Sequence, residues 1–122
     1  MAGNVEWLAS LSPWPRDGFG TGRMRAVLAD LGDPQLGYAA VHVVGTNGKS
    51  TATRTIEALL RADGFRTGAT VSPHVRRWSE RVTIDGEEAD LEAALGGVRS
   101  ACERHGATQF ETITAAALSA FL

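Results

Sequence analysis

Ten consecutive residues, His42-Val-Val-Gly-Thr-Asn-Gly-Lys-Ser-Thr51, constrain this chain more than any other stretch. A valine-rich run breaks into a turn with two glycines, and the turn opens directly into a segment of helical periodicity. Strand, turn and helix in that order are the setting of a phosphate-binding loop. Gly45 and Gly48 can take backbone angles closed to residues with a Cβ, so the main-chain N–H groups of Gly45, Thr46, Asn47 and Gly48 can curl around an anion. The helix starting near Lys49 adds unpaired N–H groups and the positive end of its dipole. Lys49 supplies a mobile point charge for the outer phosphates, and Ser50 or Thr51 a hydroxyl of the kind that ligates Mg²⁺ beside a nucleotide.

The common pattern G-x-x-x-x-G-K-[ST] needs a glycine where this chain has Val43, so the loop is shorter than that pattern, with Gly45 as its first glycine. The alternative is a glycine-rich turn carrying a solvated lysine, but turn chemistry alone does not call for Gly-Lys-Ser-Thr at a helix start. Lys49 is also the sole lysine among 12 basic residues, the rest being arginine. A compact ammonium on a flexible stem acts at a phosphate in a way a planar guanidinium does not reproduce.

At 122 residues the chain is one domain's worth, and 43% hydrophobic residues suffice for a core. A formal charge of −2 shows no bias toward nucleic acid or anionic membrane. A lone Cys102 excludes an internal disulfide and a cysteine-based metal cluster. With no leader pattern after Met1 and no long apolar run, a soluble, cytoplasmic protein is expected.

Along the chain, Val5 to Leu11 reads as a short helix stopped by Pro13, with Trp7, Trp14 and Phe19 packing beneath an ordered loop. Met24, Val27, Leu28 and Leu31 form an amphipathic stripe ended by Gly32 and Pro34. Tyr38 to Val44 reads as a buried parallel strand that delivers its carboxyl end to the loop, with His42 as a core histidine. Ala52, Ile56, Leu59 and Leu60 keep helical spacing up to Gly64, and Phe65 to Val71 reads as a second strand, completing a right-handed βαβ unit. Ligands in such sheets bind beyond the carboxyl ends of the strands, which draws the polar loop Ser72 to Arg81 toward the phosphate. Val82 and Ile84 lead to a hairpin turn at Asp85-Gly86. Leu91, Ala94, Leu95, Val98 and Cys102 form one face of a helix closing at Gly106, and Gln109 to Leu122 is an apolar helix opened by Glu111. A glutamate in a first helical turn has a ready explanation in the helix dipole, so local pattern alone assigns Glu111 no function.

Five segments in order carry a resemblance. Arg23-Met-Arg with Leu31-Gly-Asp-Pro-Gln35, the loop His42 to Lys49, Ser72-Pro-His74, Glu80-Arg-Val82 with Asp85-Gly86, and Phe110-Glu-Thr-Ile-Thr-Ala115 together resemble the N-terminal part of the folylpolyglutamate synthase/dihydrofolate synthase family, within the Mur ligase superfamily. Two departures are visible: Ser50 follows Lys49 where many members have glycine, and Val71-Ser-Pro-His-Val75 stands for the usual Thr-Ser-Pro-His-Leu.

The resemblance implies an α/β fold, a P-loop NTPase-like parallel sheet flanked by helices as in the Mur ligase central domain. Residues 1–37 would form a leading helical and loop segment, and residues 38–122 the P-loop βαβ core, Ω loop, hairpin and two helices. It implies ATP and Mg²⁺ as cofactors and dihydropteroate or folates with L-glutamate as substrates. Phosphorylation of a carboxylate would give an acyl phosphate, which the glutamate amine then attacks. By resemblance, Lys49 and Glu111 are catalytic; Gly45, Thr46, Asn47, Gly48, Lys49, Ser50 and Thr51 bind the ATP phosphates; Ser50 or Thr51, with Ser72 and Glu111, holds magnesium; Ser72, His74 and Arg81 position the pterin side. Family members continue into further metal ligands, a carbamylated lysine and a glutamate-ligase domain, so a monomeric full-length enzyme and a chain inactive by itself are expected. A non-catalytic nucleotide-binding module and a ligase acting on a UDP-linked cell-wall precursor are the alternatives. The Ser72-Pro-His74 loop argues against the second.

Overall fold

The computed structural model describes residues 3–14, 20–72 and 76–122, and Phe19 and His74 lie outside that set. The chain divides into two compact units. One comprises residues 1–38, 91–120 and 122, and the other residues 39–90 and 121.

The first unit is helical: α1 (Asn4–Ser10), α2 (Gly22–Asp30), a 3₁₀ turn at Pro34–Gly37, and the last two helices of the chain, Leu91–His105 and Gln109–Ala120. The periodic apolar residues face inward as their spacing demands. Leu8, Val27, Leu95 and Val98 are fully buried, and Cys102, Ile113 and the run Ala115 to Ala117 are nearly or fully so. Small alanines let the last two helices approach closely, which explains how so apolar a segment as Gln109–Ala120 is covered within this unit. The stop signals act as read: Gly32 and Asp33 turn left-handed after α2, with the Asp33 N–H returning to the Leu28 carbonyl at 2.8 Å. Trp7 is buried beneath Arg99, whose guanidinium lies 4.7 Å from the ring centre, whereas Trp14 is 68% exposed.

The second unit holds α3 (Lys49–Ala62) and three short strands, β1 (Gly68–Thr70), β2 (Val82–Ile84) and β3 (Glu87–Glu88). α4 and α5 are then Leu91–His105 and Gln109–Ala120. The strands form one antiparallel sheet in the order β1-β2-β3, with Ala69 opposite Thr83 and Thr83 opposite Glu88. The Asp85-Gly86 turn is as expected, both residues having positive φ.

The parallel sheet and βαβ crossover are not present among the described residues. β1 takes its partner from β2, the nearest strand downstream, and the pairing is antiparallel. The stretch expected as the loop-bearing strand is not assigned to a strand and pairs with nothing described: Val41 and Val44 are 67% and 75% exposed, and His42 is exposed rather than in a core. Apolar patterning gives a segment strand propensity but not a neighbour, and a strand's backbone groups are satisfied only by one. α3 differs as well: Leu59 and Leu60 stand outward, while Glu57, one turn earlier, is buried at 6% exposure. Its carboxylate accepts the Thr67 and Thr83 hydroxyls at 3.3 Å each, which fastens the helix to the sheet through polar contacts that periodicity does not reveal.

Candidate functional site

The loop ahead of α3 is built as its glycines require. Gly45 has φ 144° and Gly48 φ 75°, and neither has a neighbour where a Cβ would stand, so backbone conformation rather than crowding demands glycine there. Gly48 is the N-cap residue in a left-handed conformation, its carbonyl taking the Ala52 N–H at 2.9 Å. No side chain caps the helix and its first turn holds no acidic residue. The orphan N–H groups at the head of α3 thus have no competing acceptor from the cap, and the positive end of the dipole is not neutralised. Residues 44–51 are all exposed, and Lys49 makes no ion pair among the described residues. Chemically the arrangement is a set of open donors with one free ammonium, suited to polyphosphate.

At the edges of the second stretch, Ser72 to Arg81, the Val71 N–H donates to the Arg81 carbonyl at 3.0 Å. Ser72 is exposed, and His74 lies outside the described residues. Arg81 is stacked on Trp78, its guanidinium 4.4 Å from the ring centre, and burial pushes its pKa below the usual arginine range. Sequence reading did not single out Trp78, although a Trp three residues before an Arg in a 3₁₀ turn is the signal for such a stack. The same turn is braced by Glu88, whose Oε1 accepts Arg77 Nε and the Ser79 hydroxyl at 2.7 Å each. Those two donors hold the Glu88 carboxyl down to about 2.

Glu111 stands in the helical unit, while the glycine loop, Ser72 and Arg81 stand in the other. It closes a capping box at the head of α5: the Thr108 hydroxyl accepts the Glu111 N–H at 3.3 Å, and Glu111 Oε1 accepts the Thr108 N–H at 2.9 Å. Thr108-Gln-Phe-Glu111 is a T-x-x-E signature, so this half of its role was legible and was missed. Arg23 Nε of α2 reaches the same Oε1 at 2.7 Å, with the two side chains 16% and 13% exposed. Burial alone would raise the Glu111 carboxyl, but Arg23 and Thr108 outweigh it and hold it below its usual value.

Among the described residues, no group of three His, Cys, Asp or Glu side chains converges to hold a metal. Oε2 of Glu111 and the hydroxyls of Ser50 and Ser72 make no hydrogen bond to protein among the described residues. Each is an oxygen of the kind that can serve as one ligand to magnesium, which takes one or two protein oxygens and completes its shell with phosphate and water. No described helix is long and apolar enough to cross a membrane.

No protein-family model matches the chain. It is 38% identical over 107 residues to a probable bifunctional folylpolyglutamate synthase/dihydropteroate synthase of Haloferax volcanii, covering 81% of this chain and 13% of that protein. The folylpolyglutamate synthetase structure from Lactobacillus casei superposes with a TM-score of 0.86 at 35% identity, over 98% of this chain and 33% of that one. Escherichia coli FolC in complex with DHPP and ADP gives a TM-score of 0.86 at 33% identity, over 98% and 30%. This mixture of helices and a small sheet is thus shared with chains of the Mur ligase fold. Within that class the chain belongs to the folylpolyglutamate synthase/dihydrofolate synthase family, and it spans between 13% and 33% of the length of these three relatives.

Proposed function

We propose that this chain is the nucleotide-binding part of an ATP-dependent ligase that joins L-glutamate to dihydropteroate or to a folate. The observation that carries the reading is the head of α3: exposed, uncapped, free of acid, and preceded by two glycines at positive φ. The E. coli neighbour holds ADP and DHPP, which supports the same pair of ligand classes here.

In this reading the N–H groups from Gly45 to Gly48 and the first turn of α3 wrap the phosphates, and Lys49 sits on the outer ones. A substrate carboxylate oxygen attacks the terminal phosphorus, the bond to ADP breaks, and an acyl phosphate results. The glutamate amine then attacks the acyl carbon, phosphate leaves, and an amide remains. Phosphoryl transfer is a matter of positioning and charge neutralisation, which fixed N–H donors and Lys49 supply in advance. Ser50 or Thr51, Ser72 and Glu111 would hold magnesium, which when bound supplies further neutralisation of the phosphate oxygens. Ser72, His74 and Arg81 would line the pterin side. Exposed Val41 and Val44 support a further part of the proposal, that this segment becomes a strand of a parallel sheet in the whole protein. Activity belongs on this account to the whole, monomeric protein, and the chain alone binds nucleotide without turning over folate.

Calorimetric titration of Mg-ATP into the chain and into Lys49→Ala tests it. Binding that the variant weakens roughly 10–100-fold, with unchanged thermal unfolding, is expected; equal binding by both proteins would remove the phosphate-loop assignment.

A further inference from the structure

Glu111 is held by one oxygen only. Oε1 accepts both the Thr108 N–H at 2.9 Å and Arg23 Nε at 2.7 Å, while Oε2 accepts nothing from the described residues. The capping box already serves Oε1 from Thr108, at the head of α5. Arg23 adds a second donor to the same oxygen from another helix, α2, through Nε.

We propose that Arg23 is a positioning residue that fixes the plane of the Glu111 carboxylate, so that Oε2 stays open as the ligand oxygen for a divalent cation. The inference rests on the reading of Glu111 as a metal ligand. The terminal torsion of a glutamate is broad and roughly two-fold, so a single donor leaves the plane loosely set. A second donor on the same oxygen, from a different element, sets it. Partners of this kind behind a metal ligand change metal affinity by roughly 10–100-fold. A guanidinium also repels a nearby cation, which would lower affinity. The two effects have opposite signs, and the sign can be measured.

Glutamine carries its side-chain nitrogen the same number of bonds from Cα as Arg Nε, so Arg23→Gln keeps a donor there without the charge. Arg23→Met has similar reach and no donor. Arg23→Lys keeps the charge but moves the nitrogen one bond further out. Mn²⁺ is titrated into the whole chain and free Mn²⁺ is read by electron paramagnetic resonance, with thermal unfolding of every variant. Glu111→Gln should lose Mn²⁺ uptake. Arg23→Gln should stay within about threefold of the wild type, while Arg23→Met and Arg23→Lys weaken binding about tenfold. If Glu111→Gln weakens binding but Arg23→Met or Arg23→Lys binds as tightly as the wild type or more so, Arg23 is only a structural or competing cation and the inference fails alone. A tenfold loss in Arg23→Gln would overturn it in the same way. A wild type that takes up no Mn²⁺, or a Glu111→Gln variant that binds like it, removes the reading of Glu111 and the inference with it. Should Arg23→Met not fold, Arg23→Lys against Arg23→Gln decides.

Discussion

In the helical unit Leu8, Val27, Leu95 and Val98 are wholly buried, whereas in the loop-bearing unit Val41, Val44, Leu59 and Phe65 stand 61% to 75% exposed. The difference follows from where each kind of element finds its hydrogen bonds. A helix satisfies its interior backbone by itself and needs only a face to cover, so four helices and a turn can close a core among themselves. A strand borrows every ladder bond from a neighbour. Among the described residues, unit two has three paired strands of two or three residues each, and its valine run pairs with none of them. The same unit carries the exposed donors at the head of α3, so the region with the least apolar burial is the one whose chemistry faces solvent.

The sharpest way to break this comparison is a pair of truncations. Leu95→Ala, in the helical core, should cost about 2–5 kcal/mol in urea unfolding followed by helical circular dichroism. Leu59→Ala, 65% exposed, should fall within about 0.5 kcal/mol of the parent. Equal losses would mean that α3 packs as the helical unit does. Next in size, Lys49→Ala should weaken Mg-ATP roughly 10–100-fold, the equivalent of one charge-assisted hydrogen bond, with no change in unfolding midpoint.

Glycines divide the two units as well. Gly48, at φ 75°, should lose about 1–2 kcal/mol when replaced by alanine although no atom lies near its missing Cβ. Gly97 lies inside α4 with open space beside it, and Gly97→Ala should stabilise the chain by roughly 0.5–1 kcal/mol. A stabilised Gly48→Ala would show that the loop does not need its left-handed turn.

The smallest expected effect is one of pH. Glu88 is depressed to about 2 from an ordinary 4.5 by Arg77 and Ser79. A depressed carboxylate contributes stability that is present above its unfolded pKa and fades as pH falls toward the folded one. The contribution of Glu88 to the hairpin should therefore be complete above about pH 5 and lost progressively between 4.5 and 2. Because the pair is exposed, Glu88→Gln should flatten the acid limb of the stability curve only slightly.

What could be read in advance tracks how local each signal is. α2 and α4, the Gly32 stop, the Asp85-Gly86 turn and the glycine loop are written in a few adjacent residues, and each is found where its signal stands. Glu57 was invisible because its burial depends on hydroxyls 10 and 26 residues away, which no periodicity encodes. Strand pairing was not legible for the same reason: a valine run favours extended backbone, and its partner is a tertiary matter. Glu111 lies between these cases. Its capping box is local and could have been recognised, but the bond to Arg23, 88 residues away, could not.

The most direct test of the central claim follows the backbone amides of the whole chain by ¹⁵N NMR as Mg²⁺ and AMPPCP are added. The account predicts that Gly45 to Thr51 shift most, led by the N–H groups at the head of α3, and that Lys49→Ala needs roughly 10–100 times more ligand to reach those shifts. Binding that leaves Gly45 to Thr51 unmoved while other amides shift would contradict it.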